Sequence, residues 1–185
     1  MGAQATLTVA TPERMGRLGR DLAALLRPGD LVLLSGELGA GKTTLTRGLG
    51  AGLGVRGAVT SPTFVIARVH PSLVGGPALV HVDAYRLGGG LDEMEDLDLD
   101  VSLPESVVVV EWGEGKVEQL SENRLEVRIE RALGGAPQDG VADGRAADGT
   151  ASPDRADDDE DPRLVRLTGL GARWAGVELA ALAGG

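Results

Sequence analysis

Residues 36–43 have the types and spacing that bind the phosphates of a nucleotide. They read Gly36-Glu37-Leu38-Gly39-Ala40-Gly41-Lys42-Thr43 and match the pattern G-x-x-x-x-G-K-S/T. Glycines let the backbone turn so that successive N–H groups point at oxyanions, and the helix that follows adds the positive end of its dipole. Lys42 can reach the outer phosphates, and the Thr43 hydroxyl can ligate Mg²⁺. The sequence therefore predicts a phosphate-binding loop.

Two carboxylates are candidates for completing this site. Asp83 lies in the segment LVHVDAYRL and Glu111 in VVVVEW. Each follows an apolar run that predicts a buried strand, which would bring it to the carboxyl edge of a sheet, where ligands bind in open α/β folds. Mg²⁺ is usually held by one or two carboxylates together with substrate phosphates. We expect both acids to serve the metal, with Glu111 as the first candidate for a general base; a solvated acid at a strand end is the alternative for each.

Three further residues could act on the same site because of their positions. Thr63 lies in Ser-Pro-Thr-Phe, where nucleotide switches place a threonine that senses the γ-phosphate; an ordinary turn fits equally well. Trp112 follows Glu111, so on a strand it would face the opposite side, where it could wall the site or fill the core. His81 shares the face of Asp83, and we expect it to be structural.

The elements that position these residues follow from periodicity and turn signals. A helix begins after the loop at Thr43, with Leu45 and Leu49 on one face and Gly54 as its C-cap. An earlier helix begins with Thr11 as N-cap and proline at its first position. Strands are predicted at 7–9, 31–35, 65–69, 78–85, 107–110, 125–129 and 164–167, with the third and fourth forming a hairpin, the last two pairing, and a helix-like C-terminus at 172–182.

Composition excludes several classes of protein. The chain has 185 residues and no cysteine, and the lack of cysteine excludes disulfides and thiolate metal sites. Its net charge of -10 argues against direct nucleic-acid binding. Residues 133–162 contain nine acids and two arginines and almost no large apolar groups, so they are predicted to be a disordered acidic insert. The remaining residues, 1–132 and 163–185, are predicted to form one domain. No apolar run is long enough to span a bilayer, and a cytoplasmic location is expected.

Four segments, in this order and spacing, resemble one family. GELGAGKTTLTRGLG, SPTF, HVDAYRL and VVVVEWGE are together similar to the TsaE (formerly YjeE) family of bacterial P-loop ATPases. The resemblance implies a P-loop NTPase-like three-layer α/β fold with a mixed parallel and antiparallel sheet, binding of ATP and Mg²⁺, and slow ATP hydrolysis. It also implies action with the proteins TsaB and TsaD to form the threonylcarbamoyl group on the tRNA adenosine next to the anticodon, with tRNA contacted only through that complex.

The resemblance also implies roles for individual residues. Catalysis would involve Lys42, Glu111, Asp83 and Thr63, and the metal would be held by Thr43, Glu111 and Asp83. Nucleotide contacts would come from Gly36, Glu37, Leu38, Gly39, Ala40, Gly41, Lys42, Thr43, Thr44, Thr11 and Trp112. The chain departs from the family at Glu37, where aspartate is common, and in the insert, which leaves contacts near residues 160–163 unassigned.

Two other classes of P-loop protein fit this sequence less well. A GTPase usually carries an Asn/Thr-Lys-x-Asp element, and neither lysine of the chain, Lys42 or Lys116, stands in one. A small-molecule kinase would need an acceptor pocket and an arginine-bearing lid, whereas residues 88–100 are acidic. A kinase remains the alternative function, and a nucleotide-dependent assembly factor overlaps with the family role.

Overall fold

The computed structural model describes residues 2–57, 59, 67–84, 103–112, 121–132 and 161–184. Most of the predicted site falls inside these ranges. Thr63 and nearly all of the predicted insert lie outside them.

Seven strands of the described residues form one sheet in the order β1-β7-β6-β2-β5-β4-β3. Strand β2 is parallel to both of its neighbours, β5 and β6, and β4 is parallel to β5. The other pairs, β1 with β7, β6 with β7 and β3 with β4, are antiparallel, which confirms the mixed α/β sheet. The bounds are β1 Gln4–Val9, β2 Leu31–Gly36, β3 Ala67–His70, β4 Ala78–Asp83, β5 Ser106–Glu111, β6 Arg124–Arg131 and β7 Arg163–Leu170.

The burial of each strand follows its place in the sheet. All six residues of β5 are buried, as are the first four of β2, because parallel strands inside a sheet are covered on both faces and read as continuous apolar runs. β6 alternates instead, with Leu125, Val127 and Ile129 inward. The predicted pairing of the last two strands and the hairpin of β3 and β4 are both confirmed.

Within the described residues, two α-helices cover one face of the sheet. Helix α1 spans Pro12–Leu25 and begins, as predicted, with Thr11 as N-cap, whose side chain accepts from the N–H of Arg14. Helix α2 spans Lys42–Leu53, one residue earlier than predicted, and ends at Gly54 in the left-handed conformation. The helices touch backbone to backbone, since a Cβ on Gly48 would collide with the carbonyl of Gly16 and one on Gly19 with that of Leu45.

The C-terminus differs from the prediction of a helix over 172–182. It forms two short 3-10 segments, Ala172–Trp174 and Leu179–Gly184, separated by Gly176 at φ 81°. Two residues anchor this segment to the rest of the domain. Trp174 is fully buried, and the Arg173 guanidinium donates to both carboxylate oxygens of the buried Asp30. The segment thus fastens the chain end to the start of β2. Nowhere in the described ranges is a helix long and apolar enough to cross a membrane.

Strands from both sides of the predicted insert share the sheet. Strand β6 precedes the insert and β7 follows it, and the two pair along their full length. The last two residues of the insert are described: the Pro162 carbonyl accepts from the N–H of Ala132 at 2.9 Å, and Asp161 pairs with Arg163. The domain boundaries and the disorder of the insert stay predictions.

Candidate nucleotide-binding site

The glycine loop connects the end of β2 to the start of α2, in the predicted strand–loop–helix order. Gly36 and Gly41 adopt φ values of 153° and 112°, a region that L side chains rarely enter. At Gly36 a Cβ would also lie 2.6 Å from the carbonyl oxygen of Ile129 on β6. Gly41 is the N-cap of α2, so the first N–H groups of the helix lie at the loop. The arrangement is the one that binds anions at helix N-termini.

Lys42 is held against its own loop. Its Nζ donates to the carbonyl oxygens of Gly36 at 2.8 Å and Glu37 at 2.9 Å, and the residue is only 6% exposed. Burial lowers the pKa of Lys42 below the usual lysine value, and the negative charges of Glu111 and, to a smaller extent, Asp83 partly oppose that shift. The lysine and both carboxylates therefore form one electrostatic cluster.

Asp83 and Glu111 are direct neighbours in the sheet. They are register partners at the last positions of the parallel strands β4 and β5, and adjacent strands lie about 4.8 Å apart. Because side chains alternate along a strand, Glu111 shares its face with Val109 and Asp83 shares its face with Leu79, both of which pack in the cluster with α1 and α2. Both acids thus lie on the helix side, where Lys42 begins α2; Glu111 is buried and Asp83 half-buried.

Trp112 lies over the lysine, which differs from the strand-based expectation for its side chain. Strand β5 ends at Glu111, and Trp112 has a positive φ of 60°, so strand alternation no longer applies. The backbone N–H of Trp112 donates to the backbone carbonyl of Leu34 at 3.2 Å, and the Lys42 Nζ lies 4.3 Å from the centroid of the Trp112 ring. This is a cation–π contact, which makes the tryptophan a wall of the loop.

His81, which the sequence predicts to be structural, contacts a site residue directly. It is fully buried on β4, and its Nε2 lies 2.9 Å from Glu111 Oε1. The sequence signal was its spacing two residues before Asp83, which fixes a shared face. The contact itself needed the register of β4 and β5, which sequence alone did not supply.

A small cavity of about 180 Å³ lies on the other side of the loop, against the start of α1. Arg163, which the sequence left unassigned, braces it: its Nε donates to the Ala40 carbonyl at 3.1 Å, and its Nη1 pairs with Asp161 at 2.6 Å. The residues lining the cavity include Thr11, Pro12, Met15, Gly39, Gly41, Thr44 and Arg163.

A larger groove of about 740 Å³ opens between the loop and the end of β6. Its lining includes Glu37, Trp112, Arg128 and Arg131. The loop therefore has space on both sides, one side walled by helix α1 and the other by the tryptophan and two arginines.

The predicted site residues that the structure describes gather at one end of the sheet. Within the described ranges, no group of three or more His, Cys, Asp or Glu converges as a complete protein metal site. A threonine hydroxyl, two carboxylates and a phosphate-binding loop instead offer hard oxygen ligands of the kind Mg²⁺ takes when it shares substrate phosphates. Thr63 lies outside the described residues.

Comparison with known proteins identifies close relatives. A family model described as "Threonylcarbamoyl adenosine biosynthesis protein TsaE" matches residues 9–135. The tRNA threonylcarbamoyladenosine biosynthesis protein TsaE of Streptomyces coelicolor is 67% identical over 92% of this chain and 100% of its own length. The protein of the same name from Mycobacterium tuberculosis is 51% identical over 68% of this chain and 79% of its own. The crystal structure of Bacillus subtilis YdiB superposes with a TM-score of 0.64 at 29% identity, covering 95% of this chain and 91% of that one.

Proposed function

This chain belongs to the threonylcarbamoyl adenosine biosynthesis protein TsaE family, and on that premise we propose that it is a Mg²⁺-dependent ATPase. It would act with TsaB and TsaD in forming the threonylcarbamoyl group on the tRNA adenosine next to the anticodon. The observation that carries the proposal is the cluster of Lys42, Asp83 and Glu111 at the N-terminus of α2, because a lysine and two acids at a glycine loop match what a nucleotide triphosphate and its metal need.

The loop and lysine would hold the phosphates. Backbone N–H groups of residues 36–44, which run from the end of β2 through the loop into the first turn of α2, suit the β- and γ-phosphates, and Lys42 would exchange the carbonyls of Gly36 and Glu37 for phosphate oxygens. The exchange suits a lysine that is already buried and charged beside two acids. Trp112 would keep the Lys42 ammonium in place by its cation–π contact and exclude water from that side.

The Thr43 hydroxyl, Asp83 and Glu111 would hold the metal, directly or through water. Their all-oxygen chemistry and their position at the loop fit Mg²⁺. The ion would neutralise charge on the transferring phosphoryl group. Beyond that, the chain's own contribution is positioning and electrostatics, with Glu111 as the first candidate to orient the attacking water and Asp83 as the second.

The cavity beside α1 would take the base and sugar of the nucleotide. It adjoins the loop at Gly39 and Thr44, so a nucleotide whose phosphates lie on the loop could extend into it. The Thr11 side chain already caps α1 by accepting from Arg14 N–H, and its part would therefore be to shape the cavity rather than to supply a free hydroxyl.

The switch role of Thr63 and the partner coupling complete the proposal. ATP with Mg²⁺ would order the site around the γ-phosphate, the ordered surface would bind TsaB and TsaD, and hydrolysis would loosen that contact. A threonine near the γ-phosphate would be the sensor of that change. The family role and the position of Thr63 in the Ser-Pro-Thr-Phe segment support this switch.

The proposal is tested by measuring the affinity of this protein for purified TsaB and TsaD with a slowly hydrolysed ATP analogue and with ADP. We expect tighter binding with the analogue, together with phosphate release that needs Mg²⁺ and no added acceptor. Equal affinities would remove the switch, and phosphate transfer that depends on a small acceptor would favour a kinase. A Lys42→Ala variant that still supported the tRNA modification would reduce the protein to a scaffold.

A further inference from the structure

The contact between His81 and Glu111 has no role in the function proposed above. His81 is 0% exposed, and its Nε2 lies 2.9 Å from Glu111 Oε1. The two residues come from neighbouring parallel strands, where His81 is the register partner of Val109, two positions before Glu111. In the described part of the chain, His81 is the side chain that hydrogen-bonds this buried carboxylate.

The chemistry of the two groups fixes which atom donates. Carboxylate oxygens accept hydrogen bonds, so the short contact assigns the donated proton to Nε2. The other ring nitrogen, Nδ1, is buried and has no hydrogen-bond partner among the described residues. A proton on Nδ1 would leave an unsatisfied N–H buried there, which is costly. The tautomer with its proton on Nε2 leaves only a bare acceptor at Nδ1 and is the one that the geometry favours.

We propose that His81 is a positioning residue that fixes the orientation of the Glu111 carboxylate through its Nε2–H. Binding of Oε1 by the ring leaves Oε2 to serve the metal and water of the site, and this inference rests on the ATPase function proposed above. Groups that hydrogen-bond a metal-ligating carboxylate or imidazole orient that ligand, and their loss typically costs 10–100-fold in metal affinity or activity.

A purely structural histidine would not account for this arrangement as well. The cluster of packed side chains around it includes Leu79 and Val109, and an apolar side chain of similar size would fill such a space without the cost of burying a polar ring. His70 is the other histidine of the chain and is also buried, but its Nδ1 lies 3.3 Å from a backbone carbonyl, that of Arg56. It therefore provides a matched control.

The first arm of the test observes the hydrogen bond itself and needs no catalysis. The chain has two histidines, so nitrogen NMR of the imidazole rings gives two sets of resonances, and a His70→Gln variant assigns them. We expect the His81 ring to show a protonated Nε2 and a bare Nδ1, and Glu111→Leu to shift its Nε2 resonance. A ring protonated at Nδ1, or one that Glu111→Leu leaves unchanged, would overturn the inference.

The second arm asks whether the bond positions the carboxylate. The side-chain amide of His81→Gln can place an N–H close to the original Nε2, whereas the shorter side chain of His81→Asn cannot. We expect His81→Asn to raise the Mg²⁺ concentration needed for half-maximal ATP hydrolysis about tenfold or more, or to lower kcat by that factor. His81→Gln should restore most of the loss, while affinity for an ATP analogue without Mg²⁺ stays unchanged.

The outcomes separate this inference from the proposed function. Full activity and unchanged Mg²⁺ dependence in His81→Asn would overturn the positioning role, as would equal losses in His81→Gln and His81→Asn that merely follow lowered thermal stability. His70→Gln should leave the Mg²⁺ dependence of hydrolysis as it is in the parent protein. Absence of hydrolysis in the parent protein would instead overturn the ATPase proposal, while the NMR arm would still decide whether the His81 ring holds Glu111.

Discussion

At the scale of single residues, the site is organised around the charge on Lys42. The ammonium is buried and is shared between two loop carbonyls, an aromatic ring and two nearby acids. Burial alone favours the neutral amine, whereas the acids favour the ammonium. The two acids therefore offset part of the shift in the Lys42 pKa that burial causes.

This balance predicts how the pKa of Lys42 responds to its neighbours. Its pKa should lie below the usual lysine value of 10.5, and Glu111→Gln should lower it further because that change removes the larger of the two opposing charges. Asp83→Asn should lower it by less. NMR titration of the lysine ε-methylene groups measures these values cleanly, since Lys116 is the only other lysine and a Lys116→Arg variant removes its signal.

The lowered pKa of Lys42 also predicts how the free energy of unfolding changes with pH. Between the pKa of Lys42 in the folded chain and its value in the unfolded chain, the unfolded chain binds the extra proton, so the stability contributed by Lys42 rises with pH in that interval. A Lys42→Met variant should lack this rise. A Lys42 pKa at or above 10.5, or one unaffected by Glu111→Gln, would contradict the cluster described here.

Residue types and spacing predicted the loop and both acids, because a strand that ends in a carboxylate places it at a known edge of the sheet. They did not predict the contacts of Trp112 or His81. Trp112 leaves the strand geometry through a positive φ, and the partner of His81 is 30 residues away in the chain. Side-chain direction beyond a strand end, and the register between strands, are set by the folded sheet.

At the scale of elements, the loop is held by the packing of α1 on α2. Gly19 and Gly48 permit backbone contact between the helices, and Met15 of α1 approaches the position where a Cβ of Gly41 would stand, at 3.3 Å. The first helix therefore supports the start of the second. A shift of α1 would move the wall of the loop as well.

A methyl group at this contact should separate the helices. Gly48→Ala places its Cβ against the Gly16 carbonyl, and overpacking of this kind typically costs about 1–3 kcal/mol. Thermal unfolding should show a Tm lower by several degrees, since each kcal/mol shifts Tm by roughly 2–4 °C at this chain length.

Gly16→Ala is the matched control. Outside the neighbouring backbone of α1, no atom of the described residues lies within 4 Å of its added Cβ, so the higher helix propensity of alanine should stabilise the protein by about 0.5–1 kcal/mol. A Gly48→Ala variant as stable as Gly16→Ala would show that the helices do not meet as closely as described.

Helix starts were predictable where a local signal exists, as with Thr11 and Pro12 at α1. The C-terminus was not, because its apolar residues occur at helical spacing while Gly176 interrupts the backbone. Burial of Trp174 and the pairing of Arg173 with Asp30 decide its path. Contacts between residues this far apart in the chain produce no periodic pattern in the sequence, so they could not be predicted from it.

At the scale of the whole molecule, the sheet brings distant parts of the chain to one site. The loop follows strand β2. Strand β5, next to β2, ends in Glu111, and strand β4, on the far side of β5, ends in Asp83. Strand β6, on the other side of β2, approaches Gly36 through Ile129. Strand β7, which follows the predicted insert, adds Arg163 against Ala40. The order of strands, unlike their existence, depends on crossovers that periodicity does not encode.

The proposed function requires this end of the sheet to bind ATP with Mg²⁺ through Lys42. Titration calorimetry of the full chain with ATP and Mg²⁺ tests it most directly, with Lys116→Ala as a control for lysine removal. We predict saturable binding that Lys116→Ala retains and that Lys42→Ala weakens about 10–100-fold, the effect of losing a charged hydrogen-bond donor worth roughly 1.5–3 kcal/mol. No binding by the parent protein, or equal binding by Lys42→Ala, would contradict the account.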